Sequence, residues 1–235
     1  ITRIRNTSSH SVNNGQPDEL PALNLNAKVK GFHTPIDKND PQPLKQCGSL
    51  PNNKDFYPSI LAANTQSVSG NPNPNTQSIV LQINYGGVAF VFPGDATKQT
   101  EKFAIAKFPT RQNTSTVLSS SHHGANTSGS NSIEWAKYIV PSVVVYNAGE
   151  NNGFKHPKCN VVDRYSEDNK ELLSTNQHTM KCGNNIGFEQ RTLTQAQYKT
   201  YDQGDITVFA NQNGIVKIEC EKPGEMGCGL TDAEL

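Results

Sequence analysis

Two apolar runs joined by a glycine pair constrain this chain more than any other stretch of it. Ser78-Ile79-Val80-Leu81-Gln82-Ile83-Asn84-Tyr85 reads as a strand, Gly86-Gly87 as a two-residue hairpin turn, and Val88-Ala89-Phe90-Val91-Phe92 as the return strand. The return strand is too apolar to be exposed on both faces, so it belongs inside a covered sheet. Beyond it the pattern alternates. Residues 97–108 read as a helix, Thr116-Val117-Leu118 as a short strand, and residues 132–140 as a helix stopped by Pro141. Val143-Val144-Val145-Tyr146 is another buried strand. Pro157 can open a third helix running to about residue 169. Residues 205–209 and 215–219 form a last hairpin around Asn211-Gln212-Asn213-Gly214. Strands alternating with helices define an α/β class.

The first 77 residues are different. Pro35, Pro41, Pro43, Pro51, Pro58, Pro72 and Pro74 interrupt every candidate element. Short strands are expected at 27–32 and 59–63, and Asn71-Pro72-Asn73-Pro74-Asn75 reads as a turn or loop. The chain therefore divides into an irregular segment 1–77, an α/β segment 78–219 and a tail 220–235. No repeat is present.

Composition excludes several classes. Of 235 residues only 18% are charged, so the polar character comes from Asn, Ser, Thr and Gln, which is not a charge-driven disordered chain. Lys+Arg 21 balances Asp+Glu 21. A zero net charge gives no bulk attraction to nucleic acid or anionic lipid, though it leaves room for a local basic groove. No apolar run reaches the roughly 20 residues of a transmembrane helix, and no signal peptide opens the chain. Ile1 is not a natural start, so a processed or cut N-terminus is expected.

The five cysteines are Cys47, Cys159, Cys182, Cys220 and Cys228, with no C-x-x-C pair. Cys220 and Cys228 flank the turn-rich Glu-Lys-Pro-Gly-Glu-Met-Gly and read as a disulfide-closed loop. Cys159 and Cys182 are candidates for a second bridge, leaving Cys47 over. Five reduced thiols in a cytosolic protein is the competing reading. A secreted or periplasmic location is preferred, because a free thiol in a polar tail gains little from burial. Sequons at Asn6, Asn113 and Asn126 are expected by chance in so Asn-rich a chain.

The chemistry lies at the strand ends. Gly94-Asp95 follows one strand at once, at the carboxyl edge where open α/β sheets place their sites; taken alone, Asp95 reads better as a turn or helix-cap residue. Ser121-His122-His123-Gly124 follows the next strand, and adjacent loop histidines suit metal binding or acid–base work. His156-Pro157 follows Val143–Tyr146 across a Gly/Asn-rich loop. Three successive strand ends thus deliver Asp, His-His and His to one edge, a mixed oxygen and nitrogen donor set suited to zinc, iron or manganese. His10, His33 and His178 carry no motif and read as ordinary surface or loop histidines.

These residues resemble a known family. Ser78-Ile79-Val80-Leu81 with Tyr85-Gly86, Phe92-Pro93-Gly94-Asp95-Ala96, Ser121-His122-His123-Gly124-Ala125 with Ser128, Asn147-Ala148-Gly149, Asn151 and His156-Pro157 match in order and spacing the metallo-β-lactamase fold. The nearest branch is similar to the hydrolase domain of ComEC-type DNA-uptake proteins and the related phosphorylcholine esterases, over about residues 56–218. The resemblance implies an αββα sandwich with two divalent metals at the sheet edges, zinc first and manganese as the alternative. It implies that Asp95 bridges both metals, that His123 binds one with His122 nearer the substrate oxyanion or leaving group, and that His156 binds the other.

One departure matters. The family's first metal motif, His-x-His-x-Asp-His, is absent from these 235 residues. The chain therefore looks like mainly the C-terminal half of the sandwich, and half a sandwich exposes an apolar sheet face. A partner supplying the N-terminal half is expected, on a nicked chain or an unrecorded segment, with Cys47 as a candidate tether.

With both halves present, the resemblance implies a metal-dependent hydrolase using a metal-bridged hydroxide. Asp95 and His122 are its candidate catalytic residues, and phosphodiesters its first substrate class. Asn126, Ser128 and Lys155 are candidate phosphate contacts, with solvated loop residues the competing reading. The alternative from another class is a non-catalytic binding or structural module lacking the first metal motif. A nucleic-acid-binding module without chemistry finds little support, since no basic stripe interleaved with aromatics appears.

Overall fold

The computed structural model describes residues 57–63, 65, 73–109, 115–150, 152–167, 171–211 and 213–222. The strand expected at 27–32, His10, His33, Cys47, Cys228 and the sequons at Asn6 and Asn113 lie outside them.

The frame is a six-stranded mixed sheet in the order β1 (Tyr57–Ala62), β2 (Val80–Tyr85), β3 (Val88–Phe92), β4 (Ser115–Ser119), β5 (Val143–Tyr146), β8 (Gln197–Lys199). β1, β2 and β3 pair antiparallel; β3, β4, β5 and β8 pair parallel. The Gly86-Gly87 turn joins β2 to β3, with φ of 55° and 83° at the two glycines, a backbone that residues with a Cβ rarely adopt. Parallel strands need crossovers. α1 (Lys98–Lys107) connects β3 to β4 and α2 (Ile133–Ile139) connects β4 to β5. The third crossover holds α3 (Cys159–Glu167) and the antiparallel pair β6 (Ser174–Gly183) and β7 (Phe188–Gln195). A short α4 (Thr200–Gln203) leads to the hairpin β9 (Ile206–Ala210) and β10 (Val216–Cys220). The α/β class read from the sequence stands.

Both faces of the sheet are apolar because both are covered, to different extents. On one, Val80, Ala89, Val91, Leu118, Val144 and Tyr146 pack against Ala104, Trp135, Ile139, Val161, Val162 and Tyr165 of the three crossover helices and against Met180 and Leu193 of β6–β7. On the other, Val88, Val117, Val143 and Tyr198 meet Val216 and Ile218 of β10, flanked by half-buried Phe90, Val145, Ile206 and Val208. Among the described residues no helix is long and apolar enough to cross a membrane.

Several expectations need correction. The strand expected from Ser78 starts at Val80, since Ser78 caps a single turn of 3-10 helix at Pro74–Gln77 and Ile79 is 58% exposed. The helix expected to open at Pro157 starts at Cys159. Residue 158 is committed elsewhere: its N–H donates to the Gly124 carbonyl, and it forms a lone parallel bridge to Gly183. β6, β7 and β8 were not anticipated. β6 buries Thr175, His178, Met180 and Cys182, mostly polar or sulfur residues that carry no apolar run. His178 is therefore not a surface histidine. It is 2% exposed, its Nε2 donates to the Gln197 carbonyl at 2.9 Å, and its ring stacks on Tyr198 at 5.3 Å.

The Cys159–Cys182 disulfide is present and joins the start of α3 to the end of β6. Cys220 is also disulfide-bonded; Cys228, its expected partner, lies outside the described residues.

Candidate functional site

Three loops at the carboxyl ends of β3, β4 and β5 come together. Each is held by a local device that follows from its sequence. Gly94, at φ +57°, turns the chain after β3 and offers its carbonyl to the His122 N–H at 2.9 Å, joining the first loop to the second. The His-His turn takes left-handed backbone at His122 (φ 49°) and His123 (φ 59°). Such conformations cost on the order of 1 kcal/mol or more each and persist where the surroundings over-determine them. Here they do. Gly124 packs so closely that a Cβ would lie 2.5 Å from Pro157 Cβ and 2.7 Å from the Tyr146 ring. This contact docks the second loop on the third.

The second loop is built around Asn131, itself left-handed at φ 54° and fully buried. Its Oδ1 accepts from the Ser120 hydroxyl, the Ser121 N–H and the Tyr165 hydroxyl; its Nδ2 donates to the carbonyls of Ser121 and Ala125. Its N–H and that of Ser132 donate to the two oxygens of Glu101, at 2.7 and 3.0 Å. Burial raises the Glu101 carboxyl above its ordinary range, and these N–H donors oppose the rise. Arg164 closes the network by donating to the Asn131 carbonyl. In the third loop Asn152 clamps His156 on both sides: its Oδ1 accepts from the His156 N–H at 2.7 Å and its Nδ2 donates to the His156 carbonyl at 2.8 Å. The His156-Pro157 peptide is cis.

The rings converge. Their centroids lie 5.9 Å (His122–His156), 6.2 Å (His122–His123) and 6.5 Å (His123–His156) apart. His123 Nδ1 donates to the Asn147 carbonyl at 2.8 Å, which in the neutral ring leaves the electron pair on Nε2. That Nε2 faces Asp95 Oδ1 at 3.6 Å. Two electron-pair donors at this distance repel unless a proton or a cation lies between them. Burial, and behind it repulsion from His122, Lys158 and His123, pushes the His156 imidazole down to about 4. His156 is therefore neutral and a competent ligand at neutral pH. His122 Nδ1 is buried with no hydrogen-bond partner among the described residues. Orphaned nitrogen, neutral imidazole and facing carboxylate together fit a divalent cation.

The sequence-derived candidates divide. Asp95, His122, His123 and His156 are brought together. Asn126 and Ser128 sit on the rim of the same loop, where Asn126 donates to Asn160 Oδ1 and Ser128 Oγ accepts from Asn73. Lys155 carries its amine 3.4 Å from the Asn185 carbonyl at the β6–β7 turn. Sequence reasoning missed Phe154, which is 77% exposed and stacks on His156 at 5.8 Å. Its signal was a lone aromatic in a Gly/Asn loop two residues before His-Pro. Asn131, Glu101 and Asn152 were also missed, and single asparagines in an Asn-rich chain give no signal. Among the described residues, Cys159, Cys182 and Glu189 bring ligand-type atoms within 4.8 Å of one another; their thiols are spent in the disulfide.

The fold and site thus define an α/β chain presenting a carboxylate and three histidines at one sheet edge. Sequence comparison places two proteins near it. The chain is 30% identical over 140 residues to ComE operon protein 3 of Bacillus subtilis (strain 168), covering 58% of this chain and 17% of that protein. It is 32% identical over 105 residues to competence protein ComA of Neisseria gonorrhoeae, covering 45% of this chain and 15% of that protein. It thus corresponds to a small part of each. No protein-family profile matches the chain.

Proposed function

We propose that this chain carries one half of a metallo-β-lactamase-type, metal-dependent phosphodiesterase. One observation carries the reading: His123, its Nδ1 on the Asn147 carbonyl, turns Nε2 to the Asp95 carboxylate at 3.6 Å beside His122 and His156. Asp95, His122, His123 and His156 would hold two divalent ions, zinc first and manganese as the alternative, with further ligands from an N-terminal half. Bound there, such ions supply an activated water and neutralise the charge that develops on the phosphoryl oxygens. The chain's own residues do the rest. His122, through the ring nitrogen that holds no cation, donates to the developing oxyanion or protonates the leaving oxygen. Asn126, Ser128 and Lys155, the last released from Asn185, contact substrate phosphate.

The half-covered hairpin face of the sheet, with Phe90, Val145, Ile206 and Val208 half-buried, supports docking of the missing half there. The Cys159–Cys182 disulfide supports a secreted or periplasmic location. One relative is named a competence protein, which supports a role in DNA uptake. The absence of His-x-His-x-Asp-His favours one other reading, a non-catalytic module of the same fold.

The test is hydrolysis of bis(4-nitrophenyl) phosphate and of single-stranded DNA by the zinc- or manganese-loaded protein, alongside Asp95→Asn and His156→Gln. A loss of about 100-fold or more in both variants is expected, since each removes a group placed on the reacting centre. A native protein no faster than its variants would leave the non-catalytic reading.

A further inference from the structure

A cleft of about 550 Å³ is lined by Lys98, Asn126, Glu134, Lys137, Asn160 and Arg164 among others. Its walls are continuations of the three site loops. Lys98 opens α1 three residues after Asp95, Asn126 follows His123 by three, and Asn160 lies in the first turn of α3, four after His156. Two hydrogen bonds fix these walls against one another: Ser130 Oγ donates to the Ala96 carbonyl at 2.7 Å, and Asn126 Nδ2 donates to Asn160 Oδ1 at 3.3 Å. The loops that carry Asp95, His123 and His156 therefore also supply the walls of the cleft.

The cleft is basic in a chain that is not. Lys98, Lys137 and Arg164 face a single carboxylate, Glu134, which Lys98 pairs at 3.1 Å, whereas the whole sequence balances 21 cations with 21 anions. The charge excess is local. Among the described residues no aromatic ring lines the cleft, so they offer nothing on which bases stack and much that binds phosphate: ammonium, guanidinium and side-chain amides.

We propose that this cleft binds backbone phosphates of a single-stranded nucleic acid, holding it without regard to sequence while one phosphodiester lies at the Asp95–His123–His156 centre. The choice of ligand rests on the phosphodiesterase reading. It separates a polymer-handling site from one built for small diesters, which need no charged track beyond the reacting centre.

The probe is a fluorescent, hydrolysis-resistant phosphorothioate 20-mer of thymidine, titrated into the intact protein over a series of salt concentrations. Each phosphate contact contributes roughly 0.7 to the slope of log K against log salt for single strands. Lys98→Gln combined with Lys137→Gln is expected to reduce the slope by about 1.4, and Lys217→Gln, on β10, to leave it unchanged. Glu134→Gln removes the one carboxylate and frees Lys98, so it should tighten binding, a gain that misfolding does not produce. An unchanged slope in the double variant, no tightening in Glu134→Gln, or no binding of the 20-mer by the native protein overturns the proposal. Hydrolysis of bis(4-nitrophenyl) phosphate is read separately. Strand binding without hydrolysis rejects the enzyme and keeps the cleft; hydrolysis without strand binding rejects the cleft alone.

Discussion

On the helix-bearing face of the sheet, Trp135, Leu118, Val144 and Tyr165 are sealed from water; on the hairpin face, all five residues of β9 remain half-buried. The two faces are made of the same β-branched and aromatic residues, so composition does not separate them. What separates them is the cover. Three helices, the β6–β7 pair and a disulfide close the first face, and a two-stranded hairpin lies over the second. The closed face is also the one that fixes the site, because Glu101 and Tyr165 reach from its helices to Asn131 in the His-His loop. The side that holds the site loops is closed, and the other side is covered less completely.

Core truncation is the strongest way to break this comparison. Trp135→Ala is expected to cost about 3–5 kcal/mol, while Val208→Ala, half-buried on β9, costs under about 1.5 kcal/mol because its site is partly wet already. Urea denaturation of both checks this, and equal losses would mean that the faces are equivalent. The disulfide comes next. It closes a separation of 23 residues, and loop-closure entropy puts its contribution near 3 kcal/mol. The paired change Cys159→Ser with Cys182→Ser should show that loss and should loosen the His156 loop, which adjoins Cys159.

Lys199 offers a smaller test with the opposite sign. It is 1% exposed and its amine has no hydrogen-bond partner among the described residues, lying over the rings of Phe188 and Tyr201. Burial pushes the amine below its ordinary range, against the pull of Asp202. The unfolded chain therefore holds this proton more tightly. The penalty is full below the lowered value and fades as pH rises toward the ordinary one, so native stability should climb over that alkaline window. Lys199→Met should flatten the climb and stabilise the protein at pH 7, as read from melting temperatures across pH. Smallest of all, Lys217→Ala removes a 2.9 Å pair with Glu219 in which both side chains are more than half exposed. A change within about 0.5 kcal/mol is expected, measurable only as a small shift of the denaturation midpoint.

What the sequence made legible follows the same division. The Gly86-Gly87 hairpin, both early helices and Val143–Tyr146 were readable because apolar periodicity and breakers agree there. The Asp95, His122, His123 and His156 constellation was readable because each member follows a recognisable strand. β6 and β7 were not, since they bury Thr, His, Met and Cys through the disulfide and long-range pairing rather than through an apolar run. Asn131 and Asn152 were invisible for a different reason: their importance lies in side-chain hydrogen bonds to backbone that only the folded loops bring within reach. Lys155 lies between these cases: a cation beside His156 was legible, whereas its amine's contact with the Asn185 carbonyl at the β6–β7 turn depends on strands that no apolar run announced.

The most direct test of the account is elemental analysis of the intact native protein, purified without chelator, beside its Asp95→Asn variant. A site of this kind predicts about two zinc or manganese ions per chain in the native protein and their loss in the variant. A native protein with no bound transition metal, or a variant that keeps the full amount, would contradict it.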